Sequence, residues 1–312
     1  MSPPPCVGSA SPLITTFSHH YRAKYGQPIG KIPIDTGRVC PNRAHGGCIF
    51  CRPASFTPGY LDKADDVTVQ IARGRQHLAK GRFRKYFAYF QQETCTALPA
   101  AELLGLLRAL LADSDCVGVI LSTRPDHVPD SLLTGLAECI VSSGKECLFE
   151  LGLQTVHERS LQLLNRNHGF ADFLDAAARI KSAGPFGVGA HLIFGIPGES
   201  IKEMLHSLTT VCAIGLDALK LHHLQVIRDT PLHEMYARGR MTLFSLEEYL
   251  DFLLLALPLI PASVTIHRLW ATSHPGLLVA PRWHVLAAEL SRTLEKRMIE
   301  QGIRQGQRAP MA

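Results

Sequence analysis

Apolar and polar positions along the chain change period several times after Tyr60. Lys85–Gln91 (KYFAYFQ) and Cys116–Thr123 (CVGVILST) are short, nearly continuous apolar runs, the pattern of strands buried on both faces. Between them, Ala100–Ala112 (AAELLGLLRALLA) places leucines three and four apart, which predicts a helix. The same alternation continues downstream. Ser131–Ser143 predicts a helix stopped at Gly144, and Cys147–Thr155 a strand. Ala171–Ala183 predicts a helix ended by Gly184-Pro185, and Val188–Ile196 a strand running into Pro197-Gly198. Ile201–Ile214 reads as helix, Ala218–Ile227 as strand, Leu246–Leu257 as helix, Val264–Ala271 as a last strand and Trp283–Gln301 as a last helix.

Strand followed by helix, repeated, predicts an α/β fold with parallel strands joined by right-handed crossovers. An open doubly wound sheet and a barrel both satisfy this order. In either, function sits at the carboxyl ends of the strands. Polar residues gather there: Gln91–Thr94, Thr123–Asp126, Gln154-Thr155, Pro197–Glu199 and Gln225–Arg228. They read as the rim of one pocket.

Composition narrows the class. The chain has 312 residues, 46% hydrophobic and 19% charged, enough to bury a sizeable core. The longest apolar run, Phe252–Ile260, is nine residues and contains Pro258, well short of the roughly 20 needed to cross a bilayer. No membrane partner is expected. The start, Met1-Ser2-Pro3-Pro4-Pro5, lacks the basic and apolar regions of a secretory signal, so a cytoplasmic protein is expected. The net charge of +5 permits an anionic partner without demanding one.

Nine cysteines in such a chain do not suggest a disulfide scaffold. Cys6, Cys95, Cys116, Cys139, Cys147 and Cys212 are scattered and read as small buried hydrophobes. Cys40, Cys48 and Cys51 instead fall within twelve residues, on a loop that contains Gly46 and Gly47. Three thiolates on one loop make a metal clip. With His45 as a fourth ligand, the site is a Cys3His zinc site. Without it, three cysteines holding a [4Fe–4S] cluster leave one iron open for a small ligand. Phe50, beside the third cysteine, offers a flat face that suits an adenine ring.

Cys48-Ile-Phe-Cys51 resembles the end of the radical S-adenosylmethionine (SAM) motif. Glu150-Leu-Gly-Leu-Gln154-Thr155, Leu164-Asn-Arg166-Asn-His168 and His191-Leu-Ile-Phe-Gly195-Ile-Pro197-Gly-Glu199-Ser200 resemble segments of the branch that includes coproporphyrinogen dehydrogenase and the elongator catalytic subunit. Ile34-Asp35-Thr-Gly-Arg-Val-Cys40-Pro-Asn42, Ala54-Ser-Phe56, Tyr89-Phe-Gln91 and Ser122-Thr-Arg-Pro-Asp126 extend the likeness to the YhcC-type family of that branch, over about residues 17 to 275.

The resemblance implies a partial (β/α)6 barrel of the TIM type over 17–260. Residues 1–16 are then a flexible lead-in, and 261–312 a short strand–helix extension. It implies a [4Fe–4S] cluster held by Cys40, Cys48 and Cys51, with the amino and carboxylate groups of SAM on the open iron. An external one-electron reductant drives cleavage of SAM to methionine and a 5′-deoxyadenosyl radical, which takes hydrogen from a substrate not identified by sequence. The zinc-bearing Cys3His scaffold without radical chemistry is the alternative.

Two features depart from the usual motif. The first cysteine gap is seven rather than three, and Phe90-Gln-Gln-Glu93-Thr94 replaces the glycine-rich second-strand segment. Gln91 or Glu93 then takes the methionine amino group. Glu150, in an otherwise apolar strand, reads as a cofactor contact or a structural ion pair, and Gln154 as a ribose contact. Arg166 suits the methionine carboxylate, because a guanidinium fork matches it. Gly195 and Pro197 would shape the backbone near adenine. Arg124 and Asp126 read as a rim ion pair or as substrate contacts. His191, His222 and His223 are weaker candidates, and one of the adjacent pair must point inward. The basic runs Lys80–Lys85 and Arg292–Arg308 permit RNA as a substrate class but read better as solvated faces.

Overall fold

The computed structural model describes residues 12–309. Seven parallel strands form one sheet in sequential order: β1 (Ile29–Ile34), β2 (Lys85–Phe90), β3 (Cys116–Thr123), β4 (Glu146–Gln154), β5 (Phe186–Phe194), β6 (Ala218–His223) and β8 (Thr265–Arg268). Between β6 and β8, β7 (Val226–Ile227) pairs antiparallel with β9 (Leu278–Ala280) outside this sheet. Helices α3 (Ala100–Ala112), α4 (Asp130–Ser143), α6 (Phe170–Ala183), α7 (Ile201–Ala213) and α9 (Leu246–Ala256) cover the outer face. Sequential order with at least one helix in every crossover is a curled partial barrel, so the expected architecture holds, with β8 as a seventh strand.

Most expected elements occur within one or two residues of their predicted bounds. The expected strand Ala218–Ile227 divides, because the chain leaves the sheet after His223 and Leu224 donates its amide to the Phe194 carbonyl at 2.9 Å. The last helix, α10 (Ala287–Glu300), starts four residues later than Trp283. Cys95, Cys116, Cys139, Cys147 and Cys212 are buried free thiols as expected, while Cys6 lies outside the described residues. No helix among the described residues is long and apolar enough to cross a membrane.

Alternation of side chains along each strand stacks the interior in layers. Ile29, Phe87, Ile120, Leu148 and Ala218 form the lowest, apolar layer. The helix α1 (Phe17–Tyr25) closes this end, with Tyr21 packed edge-on against Phe87 at 4.7 Å between ring centres. Two residues further along the strands stand Lys31, Tyr89, Ser122, Glu150 and Lys220. The strands therefore turn from apolar to polar on the inside as they approach their carboxyl ends.

Gly118 sits where β3 passes the carbonyl of Glu146, and a β-carbon there would collide with that oxygen and come within 2.8 Å of the Phe87 ring. Gly118→Ala is predicted to destabilise the protein by about 1–3 kcal/mol, as overpacking does. Urea denaturation checks this, and an unchanged midpoint would contradict it.

Candidate active site

The cysteine loop follows β1. After Cys40 the chain makes a tight turn over Pro41–His45, then reverses through Gly46 and Gly47, whose φ values of 86° and 74° suit glycine. The segment between α5 (Glu158–Leu163) and α6 grips it. Asn165 donates its side-chain amide to the carbonyls of His45 (2.8 Å) and Gly47 (2.7 Å), and Ile49 donates its backbone amide to the Leu164 carbonyl (3.1 Å). Asn167 donates to the Asn42 side chain (2.7 Å), and Asn42 donates in turn to the Asn165 carbonyl (2.8 Å).

Each sulfur of the cluster of cysteines meets a donor. Thr94 reaches Cys40 Sγ at 3.3 Å, and Arg43 reaches Cys51 Sγ at 3.6 Å. Cys48 Sγ receives both Asn42 (3.3 Å) and Arg166 (3.1 Å). The other Arg166 amino group donates to the Gly152 carbonyl and, at 2.8 Å, to His168 Nε2. Burial and the neighbouring Arg166 lower His168 to about 4, so it is neutral and free to accept.

A cavity of about 250 Å³ opens beneath this loop at the carboxyl ends of the strands. Its floor is the polar layer. The Glu150 carboxylate is 1% exposed and is met by Lys220 Nζ (2.5 Å), Ser122 Oγ (3.0 Å), His191 Nε2 (3.2 Å) and His267 Nδ1 (2.8 Å). Desolvation alone would raise Glu150. Lys220, the two imidazoles and Lys31 outweigh it and hold the carboxyl well below the usual range. Burial lowers Lys220 to about 8 against the pull of Glu150. Its ammonium also reaches the Tyr89 hydroxyl and stands 4.3 Å from that ring's centre.

Cys40, Cys48, Cys51, Phe50, Gln91, Glu93, Glu150, Gln154 and Arg166 all border this one cavity. Gln91 donates to the Phe56 carbonyl at 2.9 Å, and Glu93 accepts from the Cys40 amide. Gln154 (φ 85°), Glu93 (46°), Asn165 (53°) and Asn167 (52°) adopt left-handed backbone although none is glycine. Such conformations cost about 1–3 kcal/mol each and concentrate where the backbone must present a side chain. Arg124 grips Asp126 through two hydrogen bonds of 2.9 and 2.8 Å at the rim.

Gly195 and Pro197 are not brought into this lining. They border a separate depression with Phe244 and Met241, because β5 ends at Phe194 and the chain turns outward there. Sequence reasoning also passed over Lys220, Arg268 and His267. The available signal was a charged or imidazole side chain inside an apolar strand; Lys220 also shares the parity of His222.

The chain is matched over residues 34–211 by the Radical SAM superfamily model and over 216–300 by the Radical SAM C-terminal domain model. It is 32% identical to the protein YtqA of Bacillus subtilis, over 93% of this chain and 91% of that one. The chain belongs to the radical SAM superfamily. It is also 35% identical to YhcC of Escherichia coli over 87% of each chain. The Elp3 structure of Methanocaldococcus infernus shares its fold with a TM-score of 0.66 at 19% identity, over 89% of this chain and 64% of that one. Membership makes the chain a radical SAM enzyme and brings the superfamily's cofactors, a [4Fe–4S] cluster and SAM.

The residues present fit those groups. Among the described residues, no three His, Cys, Asp or Glu side chains converge tightly enough for a single ion. A cubane needs no such convergence, because its thiolates bind separate irons. His45 is exposed and outside the cavity lining, so it does not complete a tetrahedral zinc site. Arg166 Nε, Arg124 Nη1 and His222 Nε2 are buried without a partner among the described residues, and all three side chains border the cavity. Buried polar groups are seldom left so, and a ligand rich in acceptors would satisfy them.

Removing the Glu150 carboxylate strands Lys220 as a buried charge. Glu150→Ala is predicted to lose about 3–5 kcal/mol in urea denaturation, and Glu150→Leu combined with Lys220→Met to lose less than Glu150→Ala alone. Equal losses would show that the pair carries no coupled charge.

Proposed function

We propose that Cys40, Cys48 and Cys51 hold the [4Fe–4S] cluster and that the cavity beneath them binds SAM and then a second substrate. What supports this reading is the meeting of the three thiols, each with its own hydrogen-bond donor, with Gln91, Glu93, Gln154 and Arg166 around one cavity. When bound, the cluster and SAM supply reductive cleavage to methionine and a 5′-deoxyadenosyl radical that takes hydrogen from the substrate.

The chain's own residues do the rest. Thr94, Asn42, Arg43 and Arg166 stabilise negative charge on the sulfurs, since hydrogen bonds to cluster thiolates are a main control of potential. The unpartnered Nε of Arg166 is offered to the methionine carboxylate. Glu93 and Gln91 are offered to its amino group, Gln154 to the ribose and Phe50 to adenine. Glu150 acts by holding Lys220, His191 and His267 in place rather than by touching cofactor. The walls keep water from a reactive intermediate.

In this reading the barrel of 17–260 is completed by β8 from the following extension, and the protein works in the cytoplasm with an external one-electron reductant. RNA is left out. The Lys80–Lys85 run lies at the amino end of β2, opposite the cavity, and Arg84 there pairs with Asp115 at 3.0 Å.

Anaerobic reconstitution tests the reading. The wild type is expected to bind about four irons per chain and to form 5′-deoxyadenosine with dithionite. Ala at Cys40, Cys48 or Cys51 is expected to abolish deoxyadenosine, and the triple variant to hold no cluster. His45→Ala is expected to keep both properties; metal loss in that variant would favour a zinc clip. Arg166→Met is predicted to retain iron but to lower the cluster's midpoint potential, read by redox titration with electron paramagnetic resonance. An unchanged potential would remove Arg166 from control of the cluster.

A further inference from the structure

The cavity carries more positive charge than the cofactors' contacts account for. Five cationic side chains border it, Arg52, Arg124, Arg166, Lys220 and Arg268, against two carboxylates, Glu93 and Glu150. Four of the cations are engaged. Arg52 pairs with Asp229 (2.6 Å), Arg124 with Asp126 (2.8 Å) and Lys220 with Glu150 (2.5 Å), while Arg166 is turned to Cys48 and Gly152. Glu93 is taken by the Cys40 amide and stands 3.6 Å from Arg43. No carboxylate among the described residues is left for Arg268.

Arg268 ends β8, in register with Lys220 on β6. His222, two residues beyond Lys220, faces the same cavity, and its Nε2 is buried without a partner among the described residues. Burial, then the nearby Arg268, hold this imidazole neutral, so it can present one N–H. The thiols take their contacts from residues that follow β1, β2 and β4. His222 lies on β6 and Arg268 on β8, past the strands that carry those contacts.

We propose that Arg268 and His222 form the docking point for an anionic group, a carboxylate or a phosphate monoester, of a small-molecule second substrate. This deepens the proposed function and rests on it for the order in which SAM and substrate fill the cavity. A guanidinium without a carboxylate, beside an unpartnered imidazole on a desolvated floor, is the arrangement that captures a terminal anion. Both side chains line the cavity, so a group at the end of a molecule reaches them. A phosphodiester flanked by nucleotides on both sides does not.

The test uses the full chain, reconstituted anaerobically, with SAM and without reductant. Isothermal titration calorimetry compares succinate and glycerol 3-phosphate with their neutral counterparts, succinamide and glycerol. At least one anion is expected to bind at millimolar concentration, and neither neutral molecule. Arg268→Gln is expected to weaken the anion about tenfold or more, His222→Phe severalfold, and Arg268→Lys less than Arg268→Gln. Iron content and circular dichroism report whether each variant is intact. The proposal is overturned if neither anion binds, if the neutral molecules bind equally, if Arg268→Gln keeps the affinity in an intact protein, or if a single-stranded RNA oligomer competes for the site. If the wild type binds the anion but never cleaves SAM, the radical reading falls and the anion site stands.

Discussion

The grip of residues 164–168 on the cysteine loop is the contact on which the site depends. That loop has little regular structure, and two successive glycines leave it with many accessible conformations when free. Asn165, Asn167 and Ile49 fix it through hydrogen bonds that span more than a hundred residues of sequence. The same short segment delivers Arg166 to the Cys48 sulfur. One piece of chain thus sets both where the thiols stand and how much negative charge they can bear. The left-handed backbone at Asn165 and Asn167 follows from this double duty, because side chains at three successive positions must all turn toward the loop.

The second constraint is the polar layer under the cavity. A parallel sheet covered by helices leaves little room for charge, and an ionised carboxylate in the interior survives only if it is fully partnered. Glu150 collects an ammonium, a hydroxyl and two imidazoles. The layer thus becomes a rigid polar plate between the apolar end closed by α1 and the open end. Its imidazoles are kept neutral: burial and Lys220 lower His191 to about 4, and His267 is lowered to about 3 chiefly by burial. These two imidazoles therefore stay uncharged over the physiological range.

How much of this was legible follows from where the partners lie. Strands β2 to β5 are buried on both faces and announce themselves as apolar runs. Strand β1 does not, because Lys31 and Pro33 interrupt it. Pro33 is tolerated because β1 is the edge strand, paired only with β2, where a missing amide is harmless. The cysteine loop was visible because its three cysteines are neighbours in sequence. The polar layer was not, since Lys220 meets Glu150 from 70 residues away and Tyr89 from 131. A single lysine in one strand gives no hint of which strand answers it. Gly195 and Pro197 stand outside the cavity lining for a different reason: their local pattern marks a turn at a strand end, but not the direction in which the turn leaves.

The two constraints divide the cavity. On the side of β1, β2 and β4, backbone strain and loop clamps hold groups aimed at the cysteine sulfurs, where displacements of an ångström matter most. On the side of β6 and β8, strand positions present side chains to the cavity past a register shift between Leu219 and Lys220. A residue there can change without disturbing the clamp or the three cysteines. Loops that position a demanding centre are costly to alter, whereas strand positions facing a cavity are free to follow the chemistry of what must bind. Within a superfamily that shares one cofactor reaction, differences in substrate should therefore reside in positions such as His222 and Arg268. The residues that touch sulfur should stay tied to the loop they hold.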